Sequence, residues 1–223
     1  MEEQRTYRRN LPHIQPEGAT FFITYNLDGA LPSKVVAELR HARALEIQKI
    51  KAQEGELSEQ ELKKRLRKAH ELYFGKYEEL LDDPKSGPTF LRKPEIAQIV
   101  KDSLHHLDGK KYTLICYCIM PNHVHKIVKD TKQVLFRIMQ SHKGFTGFEA
   151  NRAMSREGQF WHRESFDHQI RSDNWLKEKI QYILLNPSKA KLVKDWRAWP
   201  HWYIHPDYEW MAPSPVPPTF RLE

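Results

Sequence analysis

The segment ATFFITYNL, residues 19–27, is β-branched and aromatic and predicts a strand. DGALPS turns the chain, and Ser33 caps a predicted helix with Val35, Leu39 and Ala42 at helical spacing. Gly55 interrupts it. Ser58-Glu59-Gln60-Glu61 then reads as a capping box opening a second helix, long and charged, with the narrow stripe Leu62, Leu66, Ala69 and Tyr73. Together these form a helical hairpin. LDDPKSGPTF, residues 81–90, reads as a loop. Pro94 suits the first turn of a third helix carrying Ile96, Val100, Leu104 and Leu107, stopped at Asp108-Gly109. Strands are predicted over 112–119 and 123–129, parted by Pro121-Asn122, then a helix over about 131–152 weakened by Gly144 and Gly147. SFDHQIR, 165–171, predicts a fourth strand. A last helix opens at Ser172 or Asp173 and closes at Pro187, because the residue before a proline avoids the α region. The prolines at 213, 215, 217 and 218 predict an extended tail.

Strand, helices, strand, strand, helix, strand and a final helix is an α+β, ferredoxin-like order. It predicts an antiparallel sheet with helices on one face, a helical hairpin inserted over about 40–90, and a C-terminal helix. One domain is expected over 1–206, followed by a proline-rich tail over 207–223. This fold hosts many functions, so the chemistry has to come from particular residues.

Charge narrows the field. Among 223 residues, 36 Lys and Arg face 29 Asp and Glu, a formal charge of +7. Such a field favours polyanions, nucleic acid first. No apolar run approaches membrane-spanning length and the N-terminus lacks an apolar signal core, so a cytoplasmic protein without a membrane partner is expected. Cys116 and Cys118 are the only cysteines. One residue apart on a strand, they share a face without bridging, which fits a reducing compartment.

The candidate chemistry starts at MPNHVH, residues 120–125. Residues i and i+2 of a strand project from one face, so His123 and His125 point together. They can ligate one metal ion, or be two unconnected histidines on a polar face. Downstream, Tyr182 and Asn186 lie four apart on the last helix and share a face, beside the stripe Ile180, Ile183 and Leu184. If that helix crosses the sheet at the histidines, two imidazoles, an amide oxygen and a phenol converge.

From Tyr7 to about Trp202 the chain resembles the REP-associated tyrosine transposases, relatives of the single-strand transposases of insertion sequences within the histidine-hydrophobic-histidine endonucleases. The resemblance rests on YRRNLPH, GATFFITYNLDGALP, FLRKPEIAQIV, YTLICYCIMPNHVH, HKGFTGFEAN, GQFWHRESFDHQIR and YILLNPSKAKLV. The chain departs from that pattern at Lys191, where the family commonly has glycine, and at His142, where tryptophan is expected.

The resemblance implies that His123 and His125 hold a divalent ion, Mg²⁺ or Mn²⁺, with Asn186 as third ligand and Tyr182 as nucleophile. It implies metal-dependent cleavage and strand transfer on single-stranded DNA beside a palindromic hairpin, through a 5′-phosphotyrosine. It also implies contacts to the hairpin from the helical insertion or the YRRN arm, a site assembled within a monomer, and a nucleoid-associated location. Candidate DNA-binding cations are Arg8, Arg9, Arg92, Lys143, Arg163, Arg171 and Lys189, with Trp161 and Phe166 as candidate stacking rings. Two alternatives stay open: a metal-dependent hydrolase using water, and a domesticated hairpin-DNA-binding protein that no longer cuts.

Overall fold

The computed structural model describes residues 5–8, 12–15, 18–53, 55–82 and 87–214, with side chains from residue 18 onward. Strands β1 (Arg5–Arg8) and β2 (Pro12–Gln15) pair antiparallel as a separate ribbon. The main sheet contains β3 (Thr20–Asn26), β4 (Thr113–Ile119), β5 (His123–Lys129), β6 (Phe166–Ile170) and β7 (Trp202–Ile204). Its order is β6-β3-β5-β4-β7, and every pairing is antiparallel. The first four strands have the order of a ferredoxin-like fold. The fifth, β7, was not predicted: WYI is too short for its pattern to register.

The helices are α1 (Ser33–Ala52), α2 (Glu59–Asp82), α3 (Pro94–Leu107), α4 (Leu135–Ala153) and α5 (Asp173–Lys189). They do not all lie on one face. Val124 and Val128 of β5 pack with Val100, Leu104, Leu135 and Ile138 of α3 and α4. On the opposite face Ile127, Cys116 and Cys118 pack with Ile180, Ile183 and Leu184 of α5. Each such buried aliphatic side chain contributes roughly 1.5–3 kcal/mol. A register shift between Leu114 and Cys116 puts Ile115 and Cys116 together in the α5-side cluster. Both cysteines are buried and unbridged.

Helices α1 and α2 pack on each other, with the Glu61 N–H donating to the Ser58 hydroxyl at 3.2 Å. The buried positions of α1 are Val36 and Ile50, not Val35, and Ala42 is exposed. The α2 stripe continues past Tyr73 through Tyr77 to Leu81, all buried. The helix therefore includes residues 81 and 82, which the loop reading of LDDP had excluded. Pro187 does not close α5, which runs to Lys189. A proline one turn from the end forfeits a single hydrogen bond, and the Ala190 N–H still reaches the Asn186 carbonyl at 2.9 Å. Residues Pro206–Met211 form a 3₁₀ turn with Met211 buried in the α5-side cluster, so the start of the expected tail is folded. Pro215, Pro217 and Pro218 lie outside the described residues.

A glycine at position 191, which the resemblance leads one to expect, would have a structural reason. The Leu192 N–H donates to Pro187 O at 2.9 Å and the Lys191 N–H to Ser188 O at 3.0 Å, the paired bonds of a Schellman motif. Lys191 occupies its left-handed position, at φ +55°. Lys191→Gly is expected to stabilise the protein by about 0.5–1 kcal/mol, readable as a higher denaturation midpoint. An unchanged or lower midpoint would mean that Lys191 makes a compensating contact.

Candidate active site

β5 places His123 and His125 on the α5 face, both with 0% exposure. Their ring orientations follow from their neighbours. The Asn122 amide nitrogen donates to the Leu81 carbonyl at 3.1 Å, which turns the amide oxygen toward His123 Nδ1, 2.7 Å away. An amide oxygen only accepts, so Nδ1 carries the proton. Thr24 donates its hydroxyl proton to Glu78 Oε1 at 2.9 Å and lies 2.8 Å from His125 Nδ1. With its proton given to Glu78, the hydroxyl accepts from Nδ1–H. Both Nε2 atoms are therefore left with bare lone pairs, and they face each other at 2.9 Å.

Asp82, the last residue of α2, brings a third electron-pair donor. Its Oδ1 lies 3.4 Å from His123 Nε2 and accepts no hydrogen bond. Asp82, His123 and His125 offer ligand atoms within 4.8 Å of one another. Three lone-pair donors converging in a buried space repel unless a cation sits among them. A proton is a poor substitute at neutral pH, because burial and the neighbouring His123 push His125 down to about 4. The donor set fits a divalent ion, and its mixed nitrogen and oxygen character suits Mn²⁺ better than Mg²⁺.

Tyr182, on α5, lies across this cluster. Its ring centroid is 5.4 Å from that of His125 and 6.1 Å from that of Phe22, both edge-on. The hydroxyl donates to Asp82 Oδ2 at 3.3 Å. Burial, then the Glu78 and Asp82 carboxylates, push the phenol well above its ordinary range. Two ammonium groups counter them: Lys179 Nζ is 5.2 Å from the ring centroid and Lys189 Nζ 4.8 Å. Glu78 is itself pushed up to about 8 by burial. All these groups come from one chain.

The structure thus brings together His123, His125 and Tyr182, and adds Asp82, Glu78, Thr24, Asn122 and Lys179. Asn186, expected as the third ligand, is fully buried with neither side-chain atom hydrogen-bonded. Asp82 supplies the donor beside the histidines, and Asn186 keeps an unpartnered amide one turn beyond Tyr182. The missed residues had faint signals. Glu78 and Asp82 share a helical face at i, i+4, and Lys179 precedes Tyr182 by three.

Among the expected DNA-binding cations, Arg92, Arg163, Arg171 and Lys189 are exposed. Lys143 is structural as well as cationic: its ammonium donates to the carbonyls of His162, Arg163 and Glu164 at 2.6, 3.1 and 3.2 Å. Arg8 lies in β1, and Arg9 lies outside the described residues. Of the candidate stacking rings, Trp161 is core and Phe166 is half-buried against it. Trp161 is 5% exposed, with its indole N–H on Thr146 Oγ1 at 2.9 Å. Phe166 packs on Tyr77 and Phe74, at 4.6 and 5.2 Å between centroids. At His142, where tryptophan was expected, the imidazole bonds the hydroxyls of Tyr25 and Ser103 at 2.7 and 2.8 Å. A helix long and apolar enough to cross a membrane is absent among the described residues.

The relay through Thr24 makes a prediction. Thr24→Val removes the group that orients His125 and is expected to weaken Mn²⁺ binding about 10–100-fold, as read by electron paramagnetic resonance titration. Unchanged affinity would show that the hydroxyl does not orient the ring.

The antiparallel sheet thus carries two histidines and a carboxylate that could hold a metal ion, with a tyrosine on the helix across them. A Haemophilus influenzae protein named as a REP-associated tyrosine transposase is 29% identical over 107 residues, covering 43% of this chain and 61% of that protein. The match spans about three-fifths of that relative's length. The motif resemblance is borne out by this relationship. The solved structure of a REP-associated tyrosine transposase bound to a REP hairpin aligns with a TM-score of 0.47 at 16% identity, over 91% of this chain and 82% of that one. No family model matches the chain.

Proposed function

We propose that the protein is a metal-dependent single-stranded DNA endonuclease and strand transferase acting beside hairpin-forming palindromes, with Tyr182 as nucleophile. The observation that carries this reading is the pair of bare imidazole nitrogens, 2.9 Å apart, beside a carboxylate that also accepts the Tyr182 hydroxyl.

His123, His125 and Asp82 would hold the divalent ion, with Asn186 as a further donor. The ion would supply positive charge to a non-bridging oxygen of the scissile phosphate. Tyr182 Oη attacks phosphorus in line, and the bond from phosphorus to the 3′-oxygen breaks. The phenol proton leaves by way of Asp82, its existing hydrogen-bond acceptor, to solvent, and the departing 3′-oxygen takes a proton from solvent to leave as a hydroxyl. Lys179 and Lys189 stabilise the negative charge developing beside the ring. The 5′-phosphotyrosine conserves one phosphodiester for another, so a 3′-hydroxyl can reverse the step without an external energy source. Arg92, Arg163, Arg171 and Lys189 offer exposed charge to the DNA backbone, as would Arg8 and Arg9. Because one chain supplies all the converging groups, a monomer suffices, acting in the cytoplasm on nucleoid DNA.

The test is a denaturing gel of end-labelled hairpin DNA, incubated with protein and Mn²⁺ or Mg²⁺. A protein-linked band that disappears with chelator is expected. Equal affinity for a matched hairpin and an unstructured strand of the same length would remove the hairpin from the proposal.

A further inference from the structure

A cavity of about 340 Å³ lies between α4 and residues 158–163, apart from the metal cluster. Its wall on α4 includes Phe148, whose ring is 65% exposed. Its floor is Gly144 and Gly147. Gly147 has a packing reason: an added Cβ would stand 3.3 Å from Phe160 Cβ and 3.4 Å from Trp161 Cδ1. Gly144 has none, since an added Cβ would meet nothing within 4 Å. A glycine in a helix interior costs roughly 0.5–1 kcal/mol relative to alanine. What it provides here is open space beside an exposed aromatic ring. The opposite wall carries His162, whose Nδ1 is buried without a hydrogen-bond partner, and the exposed Arg163.

An aromatic face and a neighbouring guanidinium match the stacking and phosphate contacts of a nucleotide. Ligand cavities run from roughly 300 to 1,000 Å³, so this one is at the size for one base rather than several. Its position connects it to the cutting site. The His162 N–H donates to the Asn26 carbonyl at 2.8 Å, and Asn26 lies opposite His123 in the sheet register. Two strand spacings, roughly 10 Å, separate the His162 backbone from that of His123, and because α4 covers one face of the sheet and α5 the other, a DNA strand reaching both would pass around the β6 edge.

We propose that this cavity holds a single unpaired nucleobase of the DNA strand that enters the Tyr182 centre, stacked on Phe148. The inference rests on the proposed function and adds a site to it. Gly144→Leu fills the open space while improving helix propensity, and Phe148→Ala removes the stacking face. Each is measured by fluorescence anisotropy with a hairpin oligonucleotide carrying a single-stranded flank, alongside Mn²⁺ binding and thermal stability. Both variants are expected to bind the oligonucleotide about tenfold or more weakly, the scale of one lost base stack. Mn²⁺ affinity stays unchanged, and the Gly144→Leu midpoint does not fall. Binding within twofold of wild type in both variants overturns the nucleobase site and leaves the Tyr182 chemistry standing. Failure of the wild type to bind the oligonucleotide overturns both.

Discussion

Tyr182→Phe is expected to abolish the protein-linked DNA band and to lower cleavage by at least about 10⁴-fold, the scale on which loss of a catalytic nucleophile acts. The substitution removes only the hydroxyl. The ring keeps its edge contacts with His125 and Phe22 at 5.4 and 6.1 Å. The one hydrogen bond lost is that to Asp82 Oδ2, 3.3 Å long and partly exposed, so stability changes by about 1 kcal/mol or less. His123, His125 and Asp82 are untouched, so Mn²⁺ still binds. Each alternative outcome has a distinct meaning. Cleavage that survives in the variant identifies water as the nucleophile and the protein as a hydrolase. Tight hairpin binding without cleavage by either protein identifies a DNA-binding protein that has lost cutting.

The second large effect lies on the other face of the same strand. Lys126, between His125 and Ile127, points away from the metal cluster and is completely buried. Its Nζ has no hydrogen-bond partner and sits 4.9 and 5.8 Å from the ring centroids of Tyr112 and Tyr25. Burial lowers its pKa from 10.5 to about 7. The sign follows from proton counts. Between pH 7 and 10.5 the unfolded chain holds this proton and the folded protein releases it, so stability rises with pH across that window. Below pH 7 the folded protein carries the full cost of a buried ammonium.

Lys126→Met keeps the length of the side chain without the charge. It is expected to stabilise the protein by on the order of 3 kcal/mol at pH 6, allowing for the two ring faces that partly offset desolvation. The gain should shrink steadily toward pH 10. Chemical denaturation of both proteins at pH 6 and pH 9.5 checks this. A gain of equal size at both values would trace the effect to packing rather than charge. His142, a buried imidazole near this ammonium, is held neutral by its own burial first and by Lys126 second, so it does not titrate in the same window.

Several parts of the site were legible because they depend on one element's own period. HVH in a strand puts two imidazoles on one face. YILLN in a helix puts a phenol and an amide on one face. Ser172 caps α5 as expected, accepting the Trp175 N–H at 3.3 Å. The order of strands β3 to β6 followed from the alternation of patterns. Other features were misplaced where local signals were ambiguous. Asp82 precedes a proline-containing stretch that reads as a turn, yet the buried stripe Tyr73, Tyr77 and Leu81 holds the helix together to that residue. Trp161 and Phe166 look like stacking platforms among cations, and a pattern of residue types has no means of showing that both rings face inward.

The sequence alone determined which side chains share a face, the ferredoxin-like strand order, the basic charge, and the family motifs that single out His123, His125 and Tyr182. Those are properties of individual elements, set by a period of two or 3.6 residues and by local capping. Only the tertiary structure decided that Asp82 joins the histidines, that Thr24 and Asn122 fix their tautomers, that Lys179 flanks the tyrosine, and that Gly144 opens onto a cavity. Each of these depends on the register between β3 and β5, or on where α2, α4 and α5 come to lie against the sheet. Such placements are fixed by packing between residues far apart in the chain, as between Thr24 and Glu78, 54 positions apart.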